Sequence, residues 1–295
     1  MTEIVASELE VGDELLMASV ELNDAGIHYI NSSMLGDGHI GGHGHYSYNE
    51  SHATKYYEYL KYIKNIFSKV KMSSRTQISG YGSEIEHIKV FKTHKIKELR
   101  KDWYGTDGIK LPKNIDWIDD FSIAKWYMDD GSLAHNGIQN DRACFATNAF
   151  SENDVDRLCK KLHSMYNVDA VAFKTDKGFR IRVNYSKGTI HNLWKAIAPH
   201  VIPEQRYKLP LEYRDYPLIH YPEVSYERIK LPVKVTKIEF ESLPSKSSGF
   251  IGYDLETTTH NYFCGGVLVH NSSCTFYLDN DDKFHVCSRN LDLVS

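Results

Sequence analysis

Hydrophobic and polar positions along the chain fall into two similar successions. The first opens with an apolar stretch, Ile27–Leu35, ending in Gly36-Asp37-Gly38; the second opens with Phe121–Met128, ending in Asp129-Asp130-Gly131. After each, the pattern predicts short strands and then an amphipathic helix. In the first half that helix is SHATKYYEYLKYIKNIFSKV, with Tyr56, Leu60, Ile63, Phe67 and Val70 at helical spacing. In the second it is SENDVDRLCKKLHSMY, where Ser151 and Asp154 form a capping pattern and Val155, Leu158, Leu162 and Met165 make the apolar stripe. Two strands and a last helix follow in each half. The strand Phe179–Tyr185 alternates, which predicts Phe179, Ile181, Val183 and Tyr185 on a core face and Arg180, Arg182 and Asn184 facing out. The last helices are expected near Thr93 and Ser186, each 56 residues beyond its acidic motif, and Lys110-Leu111-Pro112 and Lys208-Leu209-Pro210 close the halves. Equal offsets argue for a duplicated α/β unit.

Beyond about Leu231 the texture changes. VKVTKIEF, GFIGYDLET, NYFCGG and VLVH are short β-like runs broken by glycine, an all-β pattern. The first residues, with strand-like EIVA and a Gly-Asp turn, suit the same β unit, so the α/β duplication reads as an insertion into a β domain.

Charge changes the picture only when it is taken locally. The net charge of −4 looks wrong for a polyanion-binding protein, but it is unevenly spread. Residues 1–26 hold seven acids and no Lys or Arg, residues 51–113 hold fourteen Lys/Arg against six acids, and residues 160–208 hold ten against three. A polyanion needs a local basic surface, whatever the sign of the whole chain. Solvated helix faces would give the same counts. The five cysteines lack metal-type spacing and imply no disulfide framework, so a reducing compartment, the cytoplasm, is expected. The acidic start is no signal peptide, and no apolar run approaches the roughly 20 residues that span a bilayer.

Asp37 and Asp130 each precede a glycine at the end of an apolar helix, and small residues Ser33 and Gly36 allow two such helices to approach closely. Side by side, the helices bring one carboxylate per half to a shared end. Phosphodiester hydrolysis uses a divalent ion such as Mg²⁺, held by one or two carboxylates, to bind phosphate and activate water. A duplicated unit supplies that chemistry to both strands of a duplex. SSMLGDGHI and IAKWYMDDGSL resemble the paired motifs of LAGLIDADG homing endonucleases. KLPKNIDWIDDFSIAKWYMDDGS, FATNAFSENDVDRLCKKL and APHVIPEQRYKLP are similar to one branch of single-chain members. The resemblance covers residues 26–212, in halves 26–113 and 114–212. It implies an αββαββα half repeated as a monomeric pseudo-dimer whose β-saddles bind double-stranded DNA in the major groove. By it, Asp37 and Asp130 are metal ligands for Mg²⁺, and Lys110 and Lys208 are the basic residues near the metals. Arg180, Arg182, Asn184, His87 and Lys89 are saddle residues able to reach bases or phosphates.

A second constellation lies near the C-terminus. Gly252-Tyr253-Asp254-Leu255-Glu256 leads to His260-Asn261, then to Gly265-Gly266-Val267-Leu268-Val269-His270-Asn271-Ser272. The Asn271 side chain can attack its own main-chain carbonyl, forming a succinimide and cleaving the chain. A neighbouring His assists such a step, and Ser272 offers a hydroxyl for acyl transfer. The pattern resembles intein C-terminal motifs, YDLxVxxxHNFxxNGxxVHN followed by Ser, Thr or Cys, with Gly265 where Asn is common. The resemblance implies that His260 and His270 assist cyclisation of Asn271 and that Ser272 begins the flanking protein. The expected fold class is therefore α+β: the LAGLIDADG pseudo-dimer inserted in an all-β, Hint-like splicing domain. Residues 1–25 would be a remnant of its N-terminal strands and residues 213–271 its C-terminal segment. Inteins open with a Cys or Ser nucleophile and a later T-x-x-H, and neither lies upstream of Glu10. A split intein with an N-terminal fragment in trans, or a gene fragment, is the expectation.

Residues 272–295, SSCTFYLDNDDKFHVCSRNLDLVS, read as two short strands around Asp279–Asp282. They also resemble the stretch after the nucleotide-accepting lysine in phage-type RNA ligases, KxDGSSxTxYL…VCSRNL, which would make them the start of the flanking protein. The leading expectation is an intein-encoded, site-specific double-strand DNA endonuclease. The alternative is a protein active only in splicing, with a decayed DNA-binding domain.

Overall fold

A computed structural model describes residues 10–42, 47–80, 82–90, 93–106, 108–134, 142–185, 188–235, 261–264, 267–270, 274–278 and 284–288. Two compact units are present: Glu21–Tyr226, and a second formed by residues 1–20 together with 227–295. The chain thus leaves one unit, builds the other and returns.

Strand β1 (Glu14–Leu22) leads into the larger unit. Its first half runs α1 (Asp24–Ser33), β2 (Gly38–Gly41), β3 (Ser47–Ala53), α2 (Tyr57–Ile66), β4 (Met72–Ile78), β5 (Glu84–Val90) and α3 (His94–Trp103). A short hairpin, β6 (Tyr104–Gly105) and β7 (Gly108–Ile109), precedes the second half. That half runs α4 (Asp120–Asp130), β8 (Gly131–Ala134), β9 (Arg142–Ala146), α5 (Glu152–Tyr166), β10 (Asp169–Thr175), β11 (Gly178–Asn184) and α6 (Ile190–Ile197). Both halves are αββαββα, as the duplicated pattern predicts. Each carries a four-stranded antiparallel sheet, in the orders β2-β3-β5-β4 and β10-β11-β9-β8.

Local chemistry explains the helix starts. Asn23, Thr93, Asp119 and Ser151 cap α1, α3, α4 and α5 by accepting the backbone N–H of Gly26, Ile96, Ser122 and Asp154. Burial explains the apolar stretches. Every residue of α4 from Phe121 to Met128 is buried, so no polar face is needed. Helices α1 and α4 pack together at the centre, with Ser32 Oγ 2.9 Å from Ser122 Oγ. At their ends Gly36 meets Asp129: a Cβ on Gly36 would stand 2.6 Å from that of Asp129, so only glycine allows this approach. Ser33 is not the small residue at the crossing. It turns into its own half, donating to Glu50 Oε2 at 3.2 Å, and Ser32 makes the contact instead.

Other expectations shift. Ser51–Ala53 belong to strand β3 rather than the following helix, because their backbones pair with Ile85–His87 of β5. Tyr56 then lies outside the apolar stripe and is exposed, while Leu60, Ile63, Phe67 and Val70 are buried. Ile181 and Val183 are buried and Phe179 packs on the core edge, but Tyr185, just past β11, is exposed. Helix α6 begins at Ile190, later than Ser186. The larger unit also extends to Tyr226, past the expected limit at 212, because that segment is packed: Tyr221 donates to Ala25 O at 2.7 Å and its ring lies 4.0 Å from that of Phe121.

In the smaller unit, β12 (Tyr226–Lys234), β1, β14 (Val267–His270) and β13 (Asn261–Cys264) form one sheet, in the order β12-β1-β14-β13. The strand before the duplicated unit is therefore hydrogen-bonded among those after it. β15 (Cys274–Leu278) and β16 (Phe284–Ser288) make the hairpin expected around Asp279–Asp282. Among the described residues, no helix is long and apolar enough to cross a membrane.

Candidate active site and nucleic-acid interface

Asp37 follows the turn that ends α1, and Asp130 is the last residue of α4. Because the two helices pack at their ends, both acids enter one electrostatic environment. Burial, then the nearby charge of Asp129, pushes the Asp37 carboxyl up to about 6, even though its tip is open to solvent. Burial, then the charge of Asp37, pushes Asp130 up to about 7. Two carboxylates crowded together in this way offer oxygen donors that suit a hard divalent cation.

Lys208 is the cation beside Asp130. It is half-buried, and its ammonium donates to Met128 O at 2.5 Å. Tyr127 OH returns a bond to Lys208 O at 2.7 Å, fixing the closing segment against α4. Burial holds the Lys208 ammonium below its ordinary range, although Asp129, Asp37 and Asp130 all act to raise it. Lys110, the counterpart expected for Asp37, is exposed. It lies in the wall of a cleft with Asn31, Leu99, Asp102 and Trp117. The cations that act most strongly on Asp37 are His52 and Lys125.

These two belong to a buried cluster that the sequence reading missed. Lys125 Nζ lies 2.7 Å from Glu50 Oε1 and 2.6 Å from Asp129 Oδ2, with no exposure of the three side chains. Glu50 also bonds His52 Nε2 at 2.6 Å and accepts from Tyr48, Ser33 and Tyr29. Although burial raises its pKa, Lys125 and His52 hold Glu50 below the usual carboxylate range. Tyr59 OH donates to Asp129 Oδ1 at 2.5 Å. One oxygen each of Asp37 and Asp129 and one nitrogen of His52 lie within 4.8 Å of one another. Both Asp129 oxygens are already engaged, by Lys125 and Tyr59, which leaves Asp37 and Asp130 as the open carboxylates. A lysine inside an apolar helical run was the available signal. His52 was hidden because its segment read as helix.

The outer faces of the two sheets carry the expected contact residues. Arg180 is exposed and Arg182 half-buried on β11, beside Ala146 and Cys144 of β9, and Arg182 lies over the Phe173 ring at 5.5 Å. Asn184 donates to Asp169 Oδ2 at 2.9 Å. His87 and Lys89 lie on β5 opposite Arg75 and Ser73, and His87 bonds Ser51 Oγ at 2.6 Å and Asn49 Oδ1 at 3.2 Å. In the smaller unit β13 and β14 pair so that the backbone of His270 lies opposite Asn261. His260, Asn271 and Ser272 lie outside the described residues.

Two αββαββα halves, with one carboxylate per half at the neighbouring ends of the two central helices, define a duplicated fold with a paired-acid centre. The LAGLIDADG DNA endonuclease family model matches residues 29–190, and the chain belongs to that family. Among solved structures, the homing endonuclease I-WcaI bound to its DNA recognition sequence is similar, with TM-score 0.55 and 18% identity over 64% of this chain and 87% of that one. A protein named RecA from Mycobacterium gastri is 26% identical over 301 residues, 96% of this chain and 70% of that protein. The cytochrome b mRNA maturase bI2 of Saccharomyces cerevisiae is 29% identical over 202 residues, 61% of this chain and 46% of that one.

Proposed function

We propose that the chain is a site-specific, Mg²⁺-dependent endonuclease that cuts both strands of duplex DNA as a monomeric pseudo-dimer. The observation that carries this reading is the pair Asp37 and Asp130, one per half, with pKa values raised by burial and by neighbouring negative charge. Asp37 and Asp130 would hold Mg²⁺ together with phosphate oxygens and water. When bound, the ion neutralises charge on the phosphate and lowers the pKa of water. Lys208 steadies negative charge developing beside Asp130. Arg180, Arg182, Asn184, His87 and Lys89 engage phosphates and base edges from the two sheets. A plasmid library of randomised duplex sites incubated with the protein and Mg²⁺ tests the reading. Recovery of one linearised sequence family supports it, and an uncut library rejects it.

The same proposal takes residues 213–271 as the C-terminal splicing segment of an intein and residues 1–25 as a remnant of its N-terminal strands, with residues 272–295 the start of an RNA-ligase-like flanking protein. His260 and His270 assist cyclisation of Asn271, and Ser272 accepts the acyl chain, with an N-terminal intein fragment acting in trans. Support comes from the segment order and from one sheet built of strands on both sides of the duplicated unit. The alignment to RecA proteins also extends beyond the nuclease segment to 96% of the chain. The site of action is the cytoplasm.

A further inference from the structure

Equivalent positions in the two halves carry different chemistry beside the two acids. In the first half Gly38, which follows Asp37, pairs with Glu50. In the second half Gly131, which follows Asp130, pairs with Phe145. Phe145 is therefore the counterpart of Glu50, and Thr147 the counterpart of His52. Strand alternation sends Glu50 and His52 inward together.

Glu50 is saturated with donors: Lys125 and His52 on Oε1, and Tyr48, Ser33 and Tyr29 on Oε2. A carboxylate so placed stays ionised and accepts a hydrogen bond from His52 Nε2–H, which fixes the orientation of the ring. The other nitrogen, Nδ1, then faces Asp37 Oδ2 at 3.5 Å. Tyr59 packs on the ring at 4.8 Å and is itself bonded to Asp129. In the second half Thr147 turns away, donating to Phe179 O at 2.6 Å, and Phe145 packs on Trp126.

We propose that His52, locked by Glu50, is a positioning residue for Asp37 alone, so that it serves the cut in one DNA strand and not the other. This rests on the endonuclease reading above. The pair holds the Asp37 carboxylate in one orientation through the ring's Nδ1 edge, and Asp130 has no such support from Thr147. The two strand cuts are then chemically unequal, and loss of His52 converts a double-strand cutter into a nicking enzyme.

Two measurements on the full chain test this. A duplex carrying the site recovered from the randomised library is labelled on each 5′ end in turn, and cleavage of each strand is followed in single turnover. His52→Ala should slow one strand tenfold or more and leave the other unchanged, so nicked duplex accumulates. Thr147→Ala should leave the ratio of the two strand rates as in the parent. Equal slowing of both strands by His52→Ala, or no slowing, overturns the proposal. The second measurement needs no DNA and no metal: the ¹³C carboxyl signals of aspartate, assigned through Asp37→Asn and Asp130→Asn. The Asp37 signal should move in His52→Ala while the Asp130 signal stays. An unmoved Asp37 signal in a variant with native circular dichroism overturns the contact. If the parent protein cuts no duplex in the library, the endonuclease reading fails, and the carboxyl signals alone decide whether His52 positions Asp37.

Discussion

Lys125 of the second half places its ammonium 2.7 Å from Oε1 of Glu50 in the first half, and neither side chain reaches solvent. The pair joins the halves at the point where α1 and α4 cross. A buried ion pair is weak evidence of stabilisation by itself, but removing one partner leaves the other charged and unpaired in a low-dielectric site. Here two carboxylates depend on one lysine, since Asp129 Oδ2 lies 2.6 Å from the same ammonium.

Lys125→Met should therefore destabilise the larger unit by about 3–5 kcal/mol. Adding Glu50→Gln should recover part of that loss, because it removes one of the orphaned charges. Urea denaturation of the three proteins measures both effects. Equal stability of Lys125→Met and the parent would contradict the burial of the cluster.

Asp37→Asn and Asp130→Asn should each lower double-strand cleavage by about a hundred- to a thousandfold, the scale expected when a group that stabilises transition-state charge is lost. DNA affinity, carried by the two sheets, should change little. Cleavage assays paired with binding titrations separate the two effects. A single variant that still makes double-strand breaks at the parent rate would refute the assignment.

The raised pKa values set a stability slope in metal-free protein. Between the ordinary carboxylate value and about 6 for Asp37, or about 7 for Asp130, the folded state binds protons that the unfolded chain has released. Stability from these groups is present at low pH and is lost as pH rises through that window. Asp119 runs the other way: despite burial, bonds from His28 and Ser122 hold it down at about 2, so its contribution is lost only as pH falls toward that value. Thermal midpoints in chelator, at pH 5 and pH 8, should show the Asp37 and Asp130 slope. Asp130→Asn should flatten it, and added Mg²⁺ should raise the midpoint more at pH 8 than at pH 5.

DNA binding should be steep in salt. With several phosphate contacts, affinity falls by orders of magnitude between about 50 and about 200 mM salt. Arg180→Ala combined with Arg182→Ala should lower the slope of log affinity against log salt. A flat response in the parent would make the basic strands ordinary solvated faces.

Asn271→Ala should abolish release of residues 272–295 on incubation at neutral pH, while Ser272→Ala should permit it, because cyclisation uses the Asn side chain and leaves the hydroxyl idle. Mass spectrometry of the whole chain reads the new N-terminal Ser. Release at the same bond in Asn271→Ala would exclude the cyclisation route.

The duplication, the helix caps and the two acids were legible in the sequence because each is a local signal. Ser151 accepts from Asp154 N as the capping pattern predicts, and Asp37 and Asp130 stand at matched positions ahead of glycines. Periodicity also located β11 and α5, since one buried face imposes period 2 or 3.6 on the residues that make it. Only the tertiary structure decided what surrounds the acids. Lys125 reads as a stray charge in an apolar helix until β3 brings Glu50 to it across 75 residues of chain. His52 reads as part of a helix until β5 pairs with it in a strand. Lys110 carries the right residue type in a closing segment, yet it lines an exposed cleft while His52 and Lys125 act on Asp37. Sequence determines which face a residue takes on its own element. Which charge it meets depends on how separate elements pack, and in a low-dielectric core that meeting sets the pKa values.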